Sequence, residues 1–505
     1  MAPPSPAESR EEEEKDDDEE ETAEFGSIPY HPSAPSTELF DSSTTVDPSY
    51  IISLIRWLLP PSVKVNDDMQ GQCGQDQKIV SAECTIDDIN VEHGNGQKGQ
   101  KLDAIDGSEV SLPQDPWEEC GCILWDLSAD NTHAEFMVKN FLLDVLLANL
   151  TVSESMRTRE ICLGIIANLA CHESLKKHLF STAGLIGRVV DQLFLDDSLC
   201  LVETFRLLTV GLQGCGALNW AELLRSENIL SRILWIAENT LNPQLLEKCM
   251  AFFSAILESS EDVVAILLSP LIDLGLPNTL ANILACEMGK LAGDEEIERG
   301  SVLDSILCVI EALSVTDKYS ELVSSNRDIF AIVLTLVKLP DKSEVASACV
   351  TAVVLIANIF ADEPNLVSEV YEDVTFLESL LEILPLVSDD LQARSALWSI
   401  LARLLLQIEE IVVVTSSLQK YATVLIEKSN SVVEDLEDHQ AEDSAEGDKE
   451  LNCQKTANAK VTSLAKIASI LDRWIAARSV APENASGEED EKVHRLLRYC
   501  IDHIT

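Results

Sequence analysis

The chain has 505 residues and a formal net charge of −51, because 87 Asp and Glu outnumber 36 Lys and Arg. This balance argues against direct binding to nucleic acid, which needs clustered Lys and Arg to neutralise phosphates, and against binding to anionic membranes. Hydrophobic residues make up 46% of the chain and aromatic residues only 5%, a composition suited to packing aliphatic helices. We therefore expect protein partners, and basic ones in particular.

The N-terminal region is predicted to lie outside the folded body. Residues 1–48 are rich in Pro, Ser and Glu and are predicted to form a disordered acidic tail. The tail is acidic where a secretory leader would be basic and then apolar, so we expect no leader. A short helix at residues 50–59 and a polar tract are predicted in the segment 49–115, and the folded body is predicted to start at residue 116.

From residue 116 onward the apolar residues follow helical spacing, and a five-residue apolar pattern recurs along the chain. The pattern begins at residues 165, 208, 253, 309, 355, 400 and 467. Four of the six spacings are 43 to 46 residues, and the two longer ones contain inserts near residues 286–300 and 430–451. A repeat of about 40–47 residues built from two or three helices is typical of armadillo and HEAT arrays. The pattern predicts an all-α, right-handed α-solenoid of about seven armadillo-like repeats over residues 116–480.

The layout inside a repeat favours the armadillo type, with a short, a middle and a long helix. One repeat predicts these helices at residues 173–181, 185–195 and 199–212, with Gly184 separating the first two. Polar residues before the long helices supply predicted N-caps. These caps are residues 196–198, Asn242, Ser343 and residues 388–390. Residues 481–505 are predicted to form an acidic linker and a C-terminal capping helix.

The sequence lacks the motifs of an enzyme, so we expect no catalytic residue, no cofactor and no metal. It has no Gly-rich phosphate loop and no nucleophile elbow. The close pair Cys120 and Cys122 has no second cluster with which to hold a metal. The 14 cysteines are scattered over helical patterns, which predicts reduced thiols in a cytosolic or nuclear protein.

Polar residues on the first long helices form the predicted binding surface. Asn168 stands where importin-type armadillo arrays carry an Asn that grips extended peptides beside a Trp four residues earlier. Gly164 replaces that Trp, so the ladder is missing and a structural role for the Asn168 amide is the alternative. Glu160 and Glu203 lie one repeat length, 43 residues, apart. The predicted binding residues are Arg159, Glu160, Asn168, Glu203 and Arg206. An internal ion-pair network is the alternative for the charged ones.

Three stretches resemble the serum-amyloid-A-like (SAAL) family, whose members are also described as synovial proliferation regulators. They are residues 122–128 (CILWDLS), 158–171 (TREICLGIIANLAC) and 201–208 (LVETFRLL). The resemblance covers residues 117–224, and the polar tract and the insert at 430–451 depart from it. It implies an armadillo-type fold, nuclear residence, a part in promoting cell proliferation, and no enzymatic activity.

Taken with the charge, these features predict a non-catalytic, monomeric scaffold for protein–protein interaction, located in the nucleus, the cytoplasm or both. The alternative is an acidic transport adaptor or a chaperone-like binder of basic proteins. The net charge favours this alternative, and the missing Trp–Asn ladder weakens it.

Overall fold

A computed structural model describes residues 46–60, 115–214, 216–291, 299–411, 415–438, 451–479 and 487–504. These residues form 24 α-helices and no β-strand, which confirms the all-α prediction for this part of the chain. Nearly all of the predicted acidic tail and polar tract lies outside the described residues, as do the central parts of both inserts.

The helices follow one another with short connections. In chain order they are α1 (Pro48–Trp57), α2 (Pro116–Leu127), α3 (Asn131–Lys139), α4 (Leu142–Val152), α5 (Met156–Cys171), α6 (Glu173–Ser181), α7 (Leu185–Asp191), α8 (Ser198–Leu212), α9 (Ala217–Leu224), α10 (Glu227–Asn239), α11 (Pro243–Leu257), α12 (Glu261–Asp273), α13 (Leu276–Lys290), α14 (Arg299–Ser314), α15 (Ser320–Ser324), α16 (Arg327–Val337), α17 (Ala346–Asp362), α18 (Val367–Val370), α19 (Val374–Ile383), α20 (Leu391–Ile411), α21 (Thr415–Glu427), α22 (Ser429–Asp438), α23 (Leu451–Ser479) and α24 (Gly487–Ile504). Short 3₁₀ helices cover Gln192–Phe194, Pro364–Leu366 and Leu384–Val387.

Seven consecutive groups of three helices, from α3–α5 to α21–α23, form the repeats. The last helix of each group carries one of the seven predicted apolar patterns, beginning with residues 165–169 in α5 and ending with residues 467–471 in α23. Each of these long helices packs against the next one along the chain, and α2 precedes α5 in the same row. Stacking buries the apolar sides of neighbouring repeats in one continuous core. The armadillo-like solenoid is therefore confirmed.

Side-chain caps start most of the long helices, as the sequence predicts. In each case the side-chain oxygen accepts a hydrogen bond from a backbone N–H three residues later. Predicted caps that do so are Asp197, Asn242 and Asp390. The predicted cap at Ser343 is wrong, because its backbone N–H and its hydroxyl both donate to Asp341 within the preceding turn. Helix α17 begins three residues later without a side-chain cap.

A left-handed residue separates the first and middle helices in several repeats. Gly184 (φ +83°) precedes α7 and Gly275 (φ +102°) precedes α13. In the first repeat, Phe141 occupies this place with φ +65°, and it is 72% exposed. A left-handed conformation costs an L-residue about 1–2 kcal/mol, so the first repeat holds backbone strain that glycine avoids in the second and fourth repeats.

Helices α1 and α24 close the two ends of the stack. Helix α1 packs on α2 and α3 and buries Ile51, Leu54 and Ile55. Just after it, the carbonyl of Leu58 accepts hydrogen bonds from the side chains of Trp117 and Asn149. The folded body therefore includes α1, upstream of the predicted start at residue 116. At the other end, α24 packs on α21, α22 and α23, where the sequence predicts a capping helix.

Part of the predicted acidic insert at 430–451 is folded. Residues 429–438 form helix α22, which buries Val432 and Leu436. Asp435 lies on the same buried side, where its carboxylate pairs with Arg394 of α20 at 2.7 Å. The indole N–H of Trp398 also donates to it, at 3.3 Å. The helix was hidden in the sequence because four acidic residues interrupt its narrow apolar stripe.

Within the described residues, no single helix has both the length and the apolar composition needed to cross a membrane. Two helix pairs, each bent by more than 40°, meet those requirements jointly.

Candidate functional site

The first predicted carboxylate, Glu160, belongs to an ion-pair network at the start of α5. It is 9% exposed and pairs with Arg157 at 2.9 Å, one helical turn away. Arg157 also pairs with Glu118 of α2 at 2.9 Å. The hydrogen bond to Glu160 is the main reason that the pKa of Arg157 is raised above its usual range. This network joins the first two long helices of the row.

A second network contains three of the predicted binding residues and joins α8 to α5. The guanidinium of Arg206 pairs with Glu203 at 2.6 Å. It also donates to the Asn168 side-chain oxygen at 2.9 Å and to the carbonyl of Gly164 at 3.0 Å. Arg206 therefore holds two neighbouring repeats together through the Asn168 side chain and the Gly164 carbonyl, while Glu203 on its own helix balances its charge.

The hydrogen-bonding capacity of Asn168 is used within the protein. Its amide nitrogen donates to the carbonyl of Trp125 and to the hydroxyl of Ser128, both at 3.0 Å, while its oxygen accepts from Arg206. The indole of Trp125 lies over Gly164, where an added Cβ would fall 2.1 Å from the ring. A Trp of α2, the helix that precedes α5 in the row, thus fills the place of the missing ladder Trp, and the Asn168 amide has no remaining proton for a bound peptide.

Arg159 takes part in neither network. Its guanidinium donates to the carbonyl of Ser153 at 3.0 Å and to the side chain of Gln192 at 3.0 Å. The first bond ties α5 to the end of α4 in its own repeat, and the second ties it to the end of the middle helix of the next repeat. The structure therefore places the five predicted residues in three separate contacts, and their role in binding a partner stays a prediction.

Two further carboxylates extend the pattern of Glu160 and Glu203 along the long helices. Four successive helices, α5, α8, α11 and α14, carry an acidic residue five or six positions before the apolar pattern. We call this set the carboxylate row: Glu160, Glu203, Glu247 and Asp304. The four helices pack against one another in chain order, so their acidic positions follow one another across the repeats. The repeat spacing could have found Asp304, which lies five positions before its apolar pattern as Glu160 and Glu203 do, whereas Glu247 lies six positions before and Lys248 stands at the matching position.

The two halves of the carboxylate row differ in their partners. Glu160 and Glu203 pair with arginines, whereas Glu247 accepts a hydrogen bond from the hydroxyl of Ser301 at 2.7 Å. Asp304 accepts from Ser347 at 2.6 Å and from Thr351 at 2.7 Å. Among the described Lys and Arg side chains, none pairs with Glu247 or Asp304. Hydroxyl groups orient these carboxylates without neutralising them, so the second half of the row remains available to a cation.

Another carboxylate near this part of the row is also held by a neutral group. Glu311 of α14 lies one to two turns after Asp304, and the side-chain amide of Gln392 donates to it at 3.4 Å. Burial raises the pKa of Glu311, and the negative charge of Asp390 adds to this effect. A cationic group brought to this surface would lower that pKa and stabilise the ionised form.

The described residues contain no group of three His, Cys, Asp or Glu side chains arranged to hold a metal ion. Ten described cysteines, including Cys120 and Cys122, are free of disulfide bonds. Burial raises the pKa of Cys200 to about 12 and that of Cys349 to about 11. At these values both thiols are protonated at neutral pH and are poor nucleophiles.

Comparison with known protein families finds no matching family model. The chain is 30% identical over 152 residues to protein saal1 of Danio rerio, covering 30% of this chain and 32% of that protein. It is 30% identical over 150 residues to protein SAAL1 of Homo sapiens, with coverages of 29% and 32%. The match to protein SAAL1 of Mus musculus is 28% over 155 residues, with coverages of 30% and 32%. The chain thus matches about a third of the length of these curated relatives.

Solved structures of designed armadillo repeat proteins are also similar, at lower identity. One, in complex with the peptide (KR)4, is 13% identical with a TM-score of 0.38, and covers 49% of this chain and 95% of that one. An engineered protein is 14% identical with a TM-score of 0.42, and covers 78% and 96%. The sequence matches confirm the resemblance to the SAAL family, since the chain is similar to the SAAL1 proteins over about 150 residues.

Proposed function

We propose that this protein is a non-catalytic scaffold that holds partner proteins on the carboxylate row of its stacked long helices. The observation that carries this proposal is the change of partners along the row. Glu160 and Glu203 are neutralised by arginines inside the protein, whereas the described partners of Glu247 and Asp304 are uncharged: hydroxyl groups and, for Asp304, also the thiol of Cys308 at 3.9 Å. A carboxylate that is oriented but not neutralised can form a charge-assisted hydrogen bond with an incoming Lys or Arg.

A second candidate function is an acidic adaptor or chaperone-like binder of basic proteins. The net charge of −51 favours it, because a potential of that sign attracts basic proteins over a distance of about 8 Å at physiological salt. The two functions differ in selectivity. Proximity labelling that returns one stable partner supports the scaffold, and labelling of many unrelated basic proteins supports the adaptor or chaperone.

Nuclear residence and a part in cell proliferation belong to the same proposal. They rest on the relation to the SAAL1 proteins, which this chain matches over about a third of their length. A fluorescent fusion of the full chain tests the location directly. Exclusion of the fusion from the nucleus would contradict this part of the proposal.

The binding surface is tested with the double variant Glu247→Gln, Asp304→Asn in the full chain. Gln keeps an oxygen for Ser301, and Asn keeps an oxygen for one of its two hydroxyl partners while its NH2 group can donate to the other, so the fold is preserved while two charges are lost. A matched control, Glu227→Gln with Glu261→Gln, removes the same charge from exposed first turns of α10 and α12. The probe is a fluorescent octa-arginine peptide, measured by anisotropy at low and physiological salt.

We expect the double variant to bind the peptide about 5- to 30-fold more weakly than the wild type, from about 0.5–1 kcal/mol for each lost ion pair. On a logarithmic scale, the loss of affinity in the control should be less than half of the loss in the double variant, because the control alters only the overall charge of the protein. Equal weakening in both variants would show that net charge alone attracts the peptide. Unchanged binding in the double variant would show that the peptide does not bind at the carboxylate row.

A further inference from the structure

A group of exposed apolar residues lies where the middle helix turns into the long helix in two neighbouring repeats. We call it the turn patch, and its members are Phe194, Leu199, Trp235 and Leu241. Their exposed fractions are 46%, 46%, 51% and 87%, respectively. Large apolar side chains grouped on a surface mark interaction sites more often than single ones do. The turn patch is therefore the strongest candidate for a second contact surface.

Arg232 of α10 brings the members of the turn patch together. Its guanidinium donates to the carbonyls of Leu193 and Leu195, the residues on either side of Phe194, at 2.9 and 2.8 Å. The same guanidinium lies 4.5 Å from the ring centroid of Trp235. Phe194 and Trp235 therefore flank one arginine.

The two leucines mark the same edge of the stack. Leu199 is the second residue of α8, and Leu241 comes directly before Asn242, the N-cap of α11. Helices α8 and α11 pack side by side in the row of long helices. Both leucines thus lie at the N-terminal ends of neighbouring long helices. Leu199 follows the turn that contains Phe194, and Leu241 lies in the turn that follows the helix of Trp235.

At the turn patch, the basic side chain of Arg232 is mostly buried and the acidic side chain of Asp196 is exposed. The Arg232 side chain is 17% exposed and is satisfied by two carbonyls, whereas the Asp196 carboxylate paired with it is 88% exposed. Nearby on α7, Asp191 is 60% exposed and pairs with Arg188, which is 47% exposed, at 3.3 Å, so these two charges balance each other. The outward charge beside the apolar residues is therefore that of the Asp196 carboxylate, whose partner Arg232 is turned inward.

We propose that the turn patch docks a segment of a partner protein whose apolar side chains are flanked by Lys or Arg. This inference rests on the proposed scaffold function and adds a second surface with its own partner chemistry. Exposed Trp beside other apolar groups supplies the anchor that binding interfaces favour. The outward Asp196 carboxylate selects a basic segment over an acidic one. A second copy of this chain fits less well, because a symmetric contact would place two copies of the same surface, each with an outward Asp196 carboxylate, against each other.

The test uses the full chain and synthetic 18-residue helical peptides measured by anisotropy at 0.15 M salt. The probe carries Leu on one face and Lys on the other, and the comparison peptide carries Glu in place of Lys. The patch variant combines Phe194→Ser, Trp235→Ser and Leu241→Ser. Its matched control changes three residues of similar exposure elsewhere: Leu223→Ser, Leu322→Ser and Leu386→Ser.

We expect the Leu–Lys peptide to bind the wild type at least tenfold more tightly than the Leu–Glu peptide. The patch variant should lose at least tenfold in affinity for the Leu–Lys peptide, and the control should stay within twofold of the wild type. A second variant, Asp196→Lys, should weaken Leu–Lys binding and strengthen Leu–Glu binding. It keeps the proposal testable if the triple variant does not fold.

Three results would overturn the inference: unchanged binding in the patch variant, equal loss in the control, or a wild-type dimer that the patch variant converts to monomer. The variant Glu247→Gln, Asp304→Asn separates this inference from the proposed function. If that variant loses octa-arginine binding while the patch variant keeps Leu–Lys binding, the turn patch fails and the carboxylate row stands. If the patch variant loses Leu–Lys binding while the variant Glu247→Gln, Asp304→Asn keeps octa-arginine binding, the turn patch stands as the binding surface and the carboxylate row fails.

Discussion

The buried ion pair between Arg394 and Asp435 allows the sharpest test of how the last repeats are held together. Their side chains are 9% and 2% exposed, and the atoms joined are Arg394 Nε and Asp435 Oδ1 at 2.7 Å. Removing one member of a buried pair costs about 3–5 kcal/mol, because the other charge stays buried without compensation. Asparagine keeps an oxygen for Arg394 and for the indole of Trp398, so we expect Asp435→Asn to cost about 3 kcal/mol.

This loss should appear locally rather than over the whole chain. Repeat arrays open in parts, because each repeat contacts only its neighbours. Amide hydrogen exchange followed by mass spectrometry is therefore the assay, and about 3 kcal/mol corresponds to roughly a hundredfold faster exchange in α22. Glu434→Gln, one residue earlier on the exposed side of α22, removes the same charge and should leave exchange unchanged.

A paired substitution separates loss of charge compensation from loss of contact. Replacing both partners, as Arg394→Met with Asp435→Leu, should recover most of the protection, because neither charge is then buried alone. Exchange in α22 that is unchanged by Asp435→Asn would refute the reasoning. A double variant as labile as the single one would show that the pair itself, and not the uncompensated charge, sets the stability of α22.

Three further predictions concern local features. Phe141→Gly should raise the free energy of unfolding by about 1 kcal/mol, since it relieves the left-handed strain; a lower melting temperature would contradict this. Gly164→Ala should cost about 1–3 kcal/mol by displacing the Trp125 indole, whereas Gly187→Ala, which meets no atom within 4 Å, should be neutral or stabilising in the same thermal melt. Because burial raises the pKa of Glu311, the wild type gains stability as the pH falls through that raised pKa and loses it as the pH rises. Glu311→Gln should reduce this pH dependence and should be at least as stable as the wild type at pH 7. Denaturant unfolding between pH 4 and 8 measures both effects.

The sequence could predict the repeat architecture because each repeat carries its own signals. The short helix predicted at residues 173–181 has those limits in the structure, and Asp197 caps the next long helix as expected. Apolar spacing and caps act over a few residues, so they can be read without knowing what the helix packs against. Ser343 shows where this reading fails, because its own backbone N–H and hydroxyl donate to the neighbouring Asp341.

The candidate site was less predictable because it depends on partners from other repeats. Glu160 and Glu203 could be found by their spacing, but the internal partners of Asn168 come from residues 38 to 43 positions away. Helix α22 was missed for a related reason. Asp435 is an acidic residue and yet it is buried, because its carboxylate pairs with Arg394 of α20. Polar contacts between residues far apart in the chain produce no periodic pattern in a single sequence.

The closing helices at the two ends of the stack decide how this protein can be divided for laboratory work. A fragment that begins after α1 would expose the apolar side of α2 and α3 that Ile51, Leu54 and Ile55 now cover. A cut between any two repeats uncovers an equally apolar side of a long helix, because each one is packed on both flanks. Recombinant pieces meant to stay soluble should therefore keep residues 48–60 at one end and α24 at the other, with internal repeats removed in whole units of three helices.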